Sequence, residues 1–453
     1  MTNTILDPPA TTPRESEVRA AGRLLITALE DEKPLSAARF NSMMVDRISD
    51  HEKLKAALFR LVDVTPMCRD TPEVADHLAA LLGEIEDPGR GVRLMRRAAG
   101  SPVLAGATGM VARAGVKGMA SRFIVGESVD DALGELAGMW RRGVASTVDL
   151  LGEATVTERE ADAYAARCEQ TLLALAAAAP SWPSRPHLEN DMHGPVPRVN
   201  LSVKVSAMTP NARSDDPGRG AAGAADRLLG LLRAARDLDA HLHVDMESLD
   251  LRDTVTGLVF DLLSEPEFRD GPSVGMVMQG YLTDSPEELD RWLDWQNGSG
   301  RSTPLTVRLV KGAYWDHEVV EARQSGWVPP VFTDRSACDR NFEGLTRTLL
   351  SRLDLVRPAI ASHNLRSISH AMAAAELAGG IDAIEFQVLR GLGDDIEKAL
   401  AELGFRVRTY SPIGDLIAGM AYLVRRLLEN TSNDSFLRAR AGAENLDSLL
   451  VAP

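Results

Sequence analysis

Apolar residues recur every three or four positions through the first 140 residues, and in short runs with alternating polar positions after that. Segments 18–29, 36–48, 51–62, 74–85 and 92–98 each place their apolar side chains on one helical stripe. Pro72, Pro88 and Pro102 punctuate them, and Asp70 or Thr71 is placed to cap the helix near Val74. Alanine-rich helices continue from 104 to 143. This part has almost no clustered polar chemistry and reads as scaffold or interface.

Beyond residue 140 the pattern predicts eight strands, at 146–151, 199–205, 240–246, 274–279, 305–310, 359–363, 383–389 and 405–410, each followed by a helix-compatible segment. Eight strand–helix units over about 300 residues predict a (β/α)8 TIM-type barrel behind an all-helical N-terminal region. A doubly wound sheet is the alternative if one strand is miscounted. The expected layout is an arm at 1–45, a helical domain at 46–140, the barrel at 141–440 and a tail or linker start at 441–453.

Strands of a covered parallel barrel should be nearly all apolar, yet these are not. Asn200, Ser202, Lys204 and Ser206 share one strand face, as do His241, His243, Asp245 and Glu247. Gln279 with Tyr281, Arg308, His363, Glu385 with Gln387, and Tyr410 sit at or just past their predicted strand ends. Polar groups gathered at carboxyl ends of strands are where barrel enzymes place their sites.

Composition narrows the partners. The 453 residues are 44% hydrophobic and 25% charged, as expected of a globular chain. A net charge of −15 without a dense basic run counts against nucleic acid, whose binders neutralise phosphates. Cys68, Cys168 and Cys338 fit no disulfide or metal spacing, so a reducing cytoplasm is the plain reading. The N-terminus has no secretory pattern, and the longest apolar run, 172–179, falls far short of the roughly 20 residues of a membrane span.

Several constellations carry candidate chemistry. The decapeptide VRLVKGAYWD (307–316) delivers Arg308 and Lys311 to a strand end, followed by Gly312, Tyr314 and Trp315. Cations beside a stackable indole suit a large, flat, anionic ligand such as a dinucleotide cofactor. Lys204, Asp245 and Glu247 would form a buried charged cluster, either a site or a salt bridge beneath the rim. His241 and His243, with His363 and Asp245, would suit a metal-dependent barrel hydrolase, although His241 opens its strand and so lies toward the opposite rim. Gly218, Gly220 and Gly223 spell a dinucleotide fingerprint, but about a dozen polar residues separate it from its strand, and it reads as a decoy. Tyr422, Arg425, Arg426 and Glu429 fall on neighbouring parts of one face of the last predicted helix, a shape that would clamp a small carboxylate if the helix lies over the barrel mouth.

Together these residues resemble the proline dehydrogenase family, specifically the proline dehydrogenase half of the bacterial bifunctional proline utilization proteins. The signatures run in order from STVDLLGEA through VKVSAM, HVDMES, VMQGY, VRLVKGAYWD, ASHN and RTYSPIG to YLVRRLLEN, with ALFRLVDVTP in the preceding helices. The resemblance implies a distorted barrel with the last helix over its mouth, and FAD-dependent oxidation of L-proline to Δ1-pyrroline-5-carboxylate. It implies that Arg425, Arg426 and Lys204 hold the proline carboxylate, and that Asp245, Tyr410 and Tyr422 complete the pocket, with Leu389 as an apolar wall. Arg308 would lie near the flavin N5 and Gln279 near the ring edge. Lys311, Gly312, Trp315, His363 and Glu429 would serve the rest of the FAD.

A quinone acceptor, peripheral contact with a membrane, and an aldehyde dehydrogenase domain or partner for the second step are implied in the same way. That second domain does not follow Pro453 here, so the expectation is a truncated or split form, or a single-activity protein. A basic DNA-binding N-terminus of the kind some relatives carry is likewise not expected. The rival readings are the metal-dependent hydrolase and a non-catalytic fragment or scaffold.

Overall fold

The computed structural model describes residues 11–31, 52–86, 89–152, 155–212, 216–415, 419 and 446–453. Eight parallel strands close into a barrel: β1 (Ala145–Leu150), β2 (Asn200–Val203), β3 (His241–Val244), β4 (Ser273–Gln279), β5 (Leu305–Val310), β6 (Val356–Ala361), β7 (Glu385–Leu389) and β8 (Arg406–Ile413). Each pairs with the next, and β8 returns to β1 in the register Ala145↔Arg408 to Leu150↔Ile413. The doubly wound alternative is thereby excluded.

Side-chain alternation does the sorting. Leu201, Val203, Leu242, Val244, Met276, Val307, Leu309, Ile360, Phe386 and Val407 belong to one continuous buried apolar core with the surrounding helices. Their neighbours in sequence, including Ser202, His243, Arg308, Gln387 and Arg408, are also buried and bond inside the barrel: Arg308 to Ser202 and Gln387, His243 to His241, and Arg408 to Glu385. The interior is therefore a packed polar column.

Several strand boundaries depart from expectation: β2 and β3 stop at Val203 and Val244, two residues short of the predicted ends, and β6 and β8 shift as well. β6 starts at Val356, three residues before the predicted 359, and takes in Pro358. β8 runs on through Pro412 to Ile413, because Val125 N donates to Pro412 O and Gly414 N donates to Gly126 O, extending the sheet edge. Tyr410 therefore lies inside its strand, not at the end, and Arg308 lies inside β5, whose bounds are the predicted ones.

The helical N-terminal part folds as expected where it is described. Asp70 caps Thr71–Gly83 by accepting from Glu73 N at 2.9 Å. The alanine-rich stretch breaks at residue 124, and Val129–Arg141 restarts on a Ser128/Asp131 capping box. A separate small core joins Ala57, Leu61, Val74, Leu78 and Leu82. The predicted helix 36–48 lies outside the described residues. At the amino end of the barrel, a short hairpin (Asn190–Asp191 with Gly194–Pro195) closes the bottom, where Asp191 meets Arg357 at 2.8 Å. No helix among the described residues is long and apolar enough to cross a membrane.

Candidate active site

Two acidic and two basic side chains meet near the carboxyl ends of β1, β2, β3 and β5. Lys204, one residue past β2, makes a short ion pair with Asp149 of β1 and lies 3.9 Å from Asp245. Asp245, one residue past β3, accepts from Arg308 Nη1 at 2.6 Å, from Ser202 Oγ at 2.9 Å and from the Tyr410 hydroxyl at 2.7 Å. The Arg308 guanidinium also stands 5.3 Å from the Tyr410 ring centre. Two carboxylates balance two cations, which is how a buried charged cluster avoids a large desolvation cost.

The electrostatics follow from this contact set. Burial alone would lower the Lys204 pKa, but Asp149 and then Asp245 outweigh it and hold the ammonium above its ordinary value. Burial, Asp149 and Asp245 push the Tyr410 phenol well above its usual range, so it remains a donor. The expected Lys204–Glu247 contact does not form. Glu247 takes the Ser206 hydroxyl, and its backbone carbonyl accepts from Gln279 Nε2 at 2.8 Å. Asp149 is the residue that sequence reasoning left without a role. Its signal was an acid in the middle of an apolar strand, within the quoted STVDLLGEA.

The other predicted residues divide by location. Gln279 ends β4, and its Oε1 is buried without a partner among the described residues, as is Arg308 Nη2. Lys311 is ion-paired with Asp339 on the helix Arg335–Ser351, so it faces that helix and not the central cluster. Gly312 has φ 134°, and any Cβ there would come within 2.4 Å of the Tyr281 ring, so only glycine fits. Trp315 is 40% exposed and donates to Phe332 O at 2.9 Å. His363 Nε2 accepts from Leu389 N at 3.0 Å, and the adjacent Asn364 caps the following helix. Tyr422, Arg425, Arg426 and Glu429 lie outside the described residues.

The hydrolase set does not assemble. His241 and His243 bond each other at 3.2 Å, and His241 turns to Ser273 at 2.8 Å, toward the bottom of the barrel. Asp245 is committed to Arg308 one layer higher, and His363 to β7. Burial holds both interior histidines well below their ordinary pKa. The glycine decoy is also explained: Gly220 and Gly223 lie within the helix Pro217–Asp237, where a Cβ would strike Asn211 O at 2.9 Å or Thr209 Oγ1 at 2.4 Å.

A closed parallel barrel with its charged cluster at the carboxyl ends of the strands is the architecture of (β/α)8 enzymes. The chain belongs to the proline dehydrogenase family: the model described as proline dehydrogenase matches residues 132–439. The model for the proline utilization A N-terminal domain matches residues 15–123. The bifunctional protein PutA of Salmonella typhimurium is 31% identical over 347 residues, covering 74% of this chain and 25% of that protein. Proline dehydrogenase 1 of Bacillus subtilis is 25% identical over 319 residues, covering 70% of this chain and 89% of that one. Among solved structures, proline utilization A from Bdellovibrio bacteriovorus, inactivated by N-propargylglycine, superposes with a TM-score of 0.86 at 35% identity, over 97% of this chain and 44% of that one. The chain thus spans about a quarter of the length of the bifunctional relatives it matches.

Proposed function

We propose that this chain oxidises L-proline to Δ1-pyrroline-5-carboxylate with FAD as cofactor. One observation carries the reading: the neutral cluster of Lys204, Asp149, Asp245 and Arg308 at the barrel mouth, beside a buried donor (Arg308 Nη2) and a buried acceptor (Gln279 Oε1) that lack partners among the described residues. Such atoms cost on the order of 1–3 kcal/mol each when unsatisfied, so a bound group that pairs both is favoured. A flavin ring, with acceptor and donor positions along one edge, fits that pair. When bound, FAD supplies the acceptor for a hydride from the ring carbon next to the proline nitrogen.

The chain's own residues bind and orient. Lys204, kept charged by Asp149, offers its remaining N–H groups to the substrate carboxylate, and Arg425 and Arg426 with Tyr422 complete that clamp. Asp245 accepts from three donors, which fix Tyr410 and Arg308 around the pocket. Leu389, at the end of β7, is the apolar wall. Gln279 and Arg308 serve the flavin ring, with Lys311, Gly312, Trp315, His363 and Glu429 toward the rest of the cofactor.

Electrons pass to a quinone, and the imine product, once water has opened it to the free aldehyde, goes to a dehydrogenase domain or partner. Peripheral contact with an anionic membrane surface is supported by the helical region. Between Asp87 and Glu127 the chain has no acidic residue and seven basic ones, four of them in the helix Arg90–Ala99. Leu94, Met95, Val103, Leu104, Met110 and Val111 are exposed in the same stretch.

The test is an absorbance spectrum of the FAD-loaded protein with and without L-proline. Anaerobic bleaching of the flavin band by proline is expected, and an unbleached flavin would refute the proposal.

A further inference from the structure

Below the mouth, the barrel interior contains a chain of contacts that the proposed reaction does not itself require. At its base Arg408 grips Glu385 through two bonds, of 2.8 and 3.0 Å. Burial would raise the Glu385 carboxyl, but Arg408 outweighs it and holds it down at about 2. One layer higher, the Gln387 amide donates to Glu385 Oε1 at 2.8 Å, and its carbonyl accepts from Arg308 Nε at 2.6 Å. The amide has no choice of orientation. A carboxylate lies on one side and a guanidinium on the other, so the NH2 must face Glu385 and the oxygen must face Arg308.

That orientation fixes Arg308. The guanidinium is planar, and its Nε and Nη1 are both engaged, Nε by Gln387 and Nη1 by Asp245 and Ser202 at 2.6 and 3.2 Å. The direction of Nη2 is then determined, and Nη2 is the buried donor left without a partner among the described residues. Arg308 and Gln387 are 4% and 5% exposed, so water does not provide an alternative hold.

We propose that Gln387 is a positioning residue. It transmits the rigid Glu385–Arg408 pair to Arg308, aims Nη2 at the flavin, and thereby sets the reduction potential of the bound cofactor. The inference rests on the reading that FAD occupies the barrel mouth. A cation held at a fixed place beside the ring favours the electron-rich reduced form. The same cation free to swing favours it less, because reorienting it costs part of the interaction.

Gln387→Met tests this in the FAD-loaded chain, since methionine keeps the length of the side chain and removes both bonding groups. The expected result is a tenfold loss of preference for reduced over oxidised flavin. That is a midpoint potential lower by about 30 mV for a two-electron couple. kcat should fall, and KM for proline should change less than twofold. In the flavin-free protein the Arg308 Nε–H, slow to exchange in the parent, should exchange rapidly in Q387M. Should Q387M not fold, Gln387→Asn withdraws the same amide by one methylene and should move the potential in the same direction. An unmoved potential in a parent-like, proline-bleachable flavoprotein overturns this inference alone. A parent chain that takes up no flavin overturns it together with the proposed function.

Discussion

The phenol of Tyr410 on β8 donates to Asp245 Oδ2 across the barrel mouth at 2.7 Å, joining residues 165 positions apart in the chain. Tyr410→Phe removes this donor and leaves that oxygen, among the described residues, facing Lys204 at 3.9 Å. Losing a hydrogen bond to a charged group costs about 1.5–3 kcal/mol, so kcat/KM for proline should fall on the order of 10- to 100-fold with FAD still bound. Steady-state kinetics beside a flavin-to-protein ratio decide it, and loss of flavin would contradict the assignment.

Asp149→Asn should act through Lys204. The ammonium keeps its raised pKa chiefly because Asp149, more than Asp245, offsets its burial. Without that carboxylate the pKa falls, and the alkaline limb of kcat/KM should move to lower pH. Breaking a buried pair by removing one partner also costs about 3 kcal/mol of unfolding free energy. An unshifted pH profile would mean that Lys204 does not depend on Asp149.

Arg426→Ala should raise KM for proline steeply while leaving FAD in place. A lost charge-assisted contact worth about 2–3 kcal/mol corresponds to a 30- to 100-fold change. Loss of flavin with KM unchanged would assign this arginine to the cofactor instead.

Binding to vesicles rich in phosphatidylserine should depend on the helix Arg90–Ala99. At about 1 kcal/mol for each basic residue near an anionic surface, reversing Arg93, Arg96 and Arg97 to glutamate should weaken partitioning by at least on the order of a hundredfold. Proline oxidation with a soluble acceptor should be unaffected. Equal cosedimentation of parent and variant would remove this face as the contact.

Stability should fall steeply on mild acidification. Burial holds His241, His243 and His370 neutral, with His370 lowered to about 3 from an ordinary 6.5. The unfolded chain therefore takes up protons first, so the stabilisation is complete above pH 6.5 and is lost as pH falls from there toward 3. Each such proton contributes about 1.4 kcal/mol per pH unit, or about 4 kcal/mol per unit for three at the steepest point. Glu385, lowered to about 2, adds in the same direction below its ordinary 4.5. Urea unfolding at pH 7, 6 and 5 measures the slope, and a flat series would contradict it.

The eight strands and their order were legible because period-two runs separated by helical stripes leave few topologies. The polar interior was legible too, since Ser202, His243 and Arg308 each interrupt an apolar alternation on the same face. Partner choice was not. Lys204 joins Asp149 and not Glu247 because the stagger of neighbouring strands sets which side chains share a height in the barrel, and no local pattern encodes that stagger. The motif that marks Lys311 as a cofactor residue likewise does not reveal its counter-ion Asp339, which arrives on a later helix, 28 residues on. The end of β8 was hidden by Pro412, which reads locally as the start of the following helix.

Arg366, on the helix Leu365–Ala378, bonds Glu343 at 2.6 Å, Glu15 at 2.7 and 2.8 Å, and the Leu450 carbonyl at 3.2 Å. Glu15 lies 351 positions before it and Leu450 lies 84 after it. This one guanidinium therefore acts as a buckle between the earliest and latest described parts of the chain. During synthesis its last strap cannot be fastened until Leu450 has left the ribosome. A chain arrested short of that residue would carry a nearly finished barrel whose N-terminal helix lacks the C-terminal contact on the same buckle.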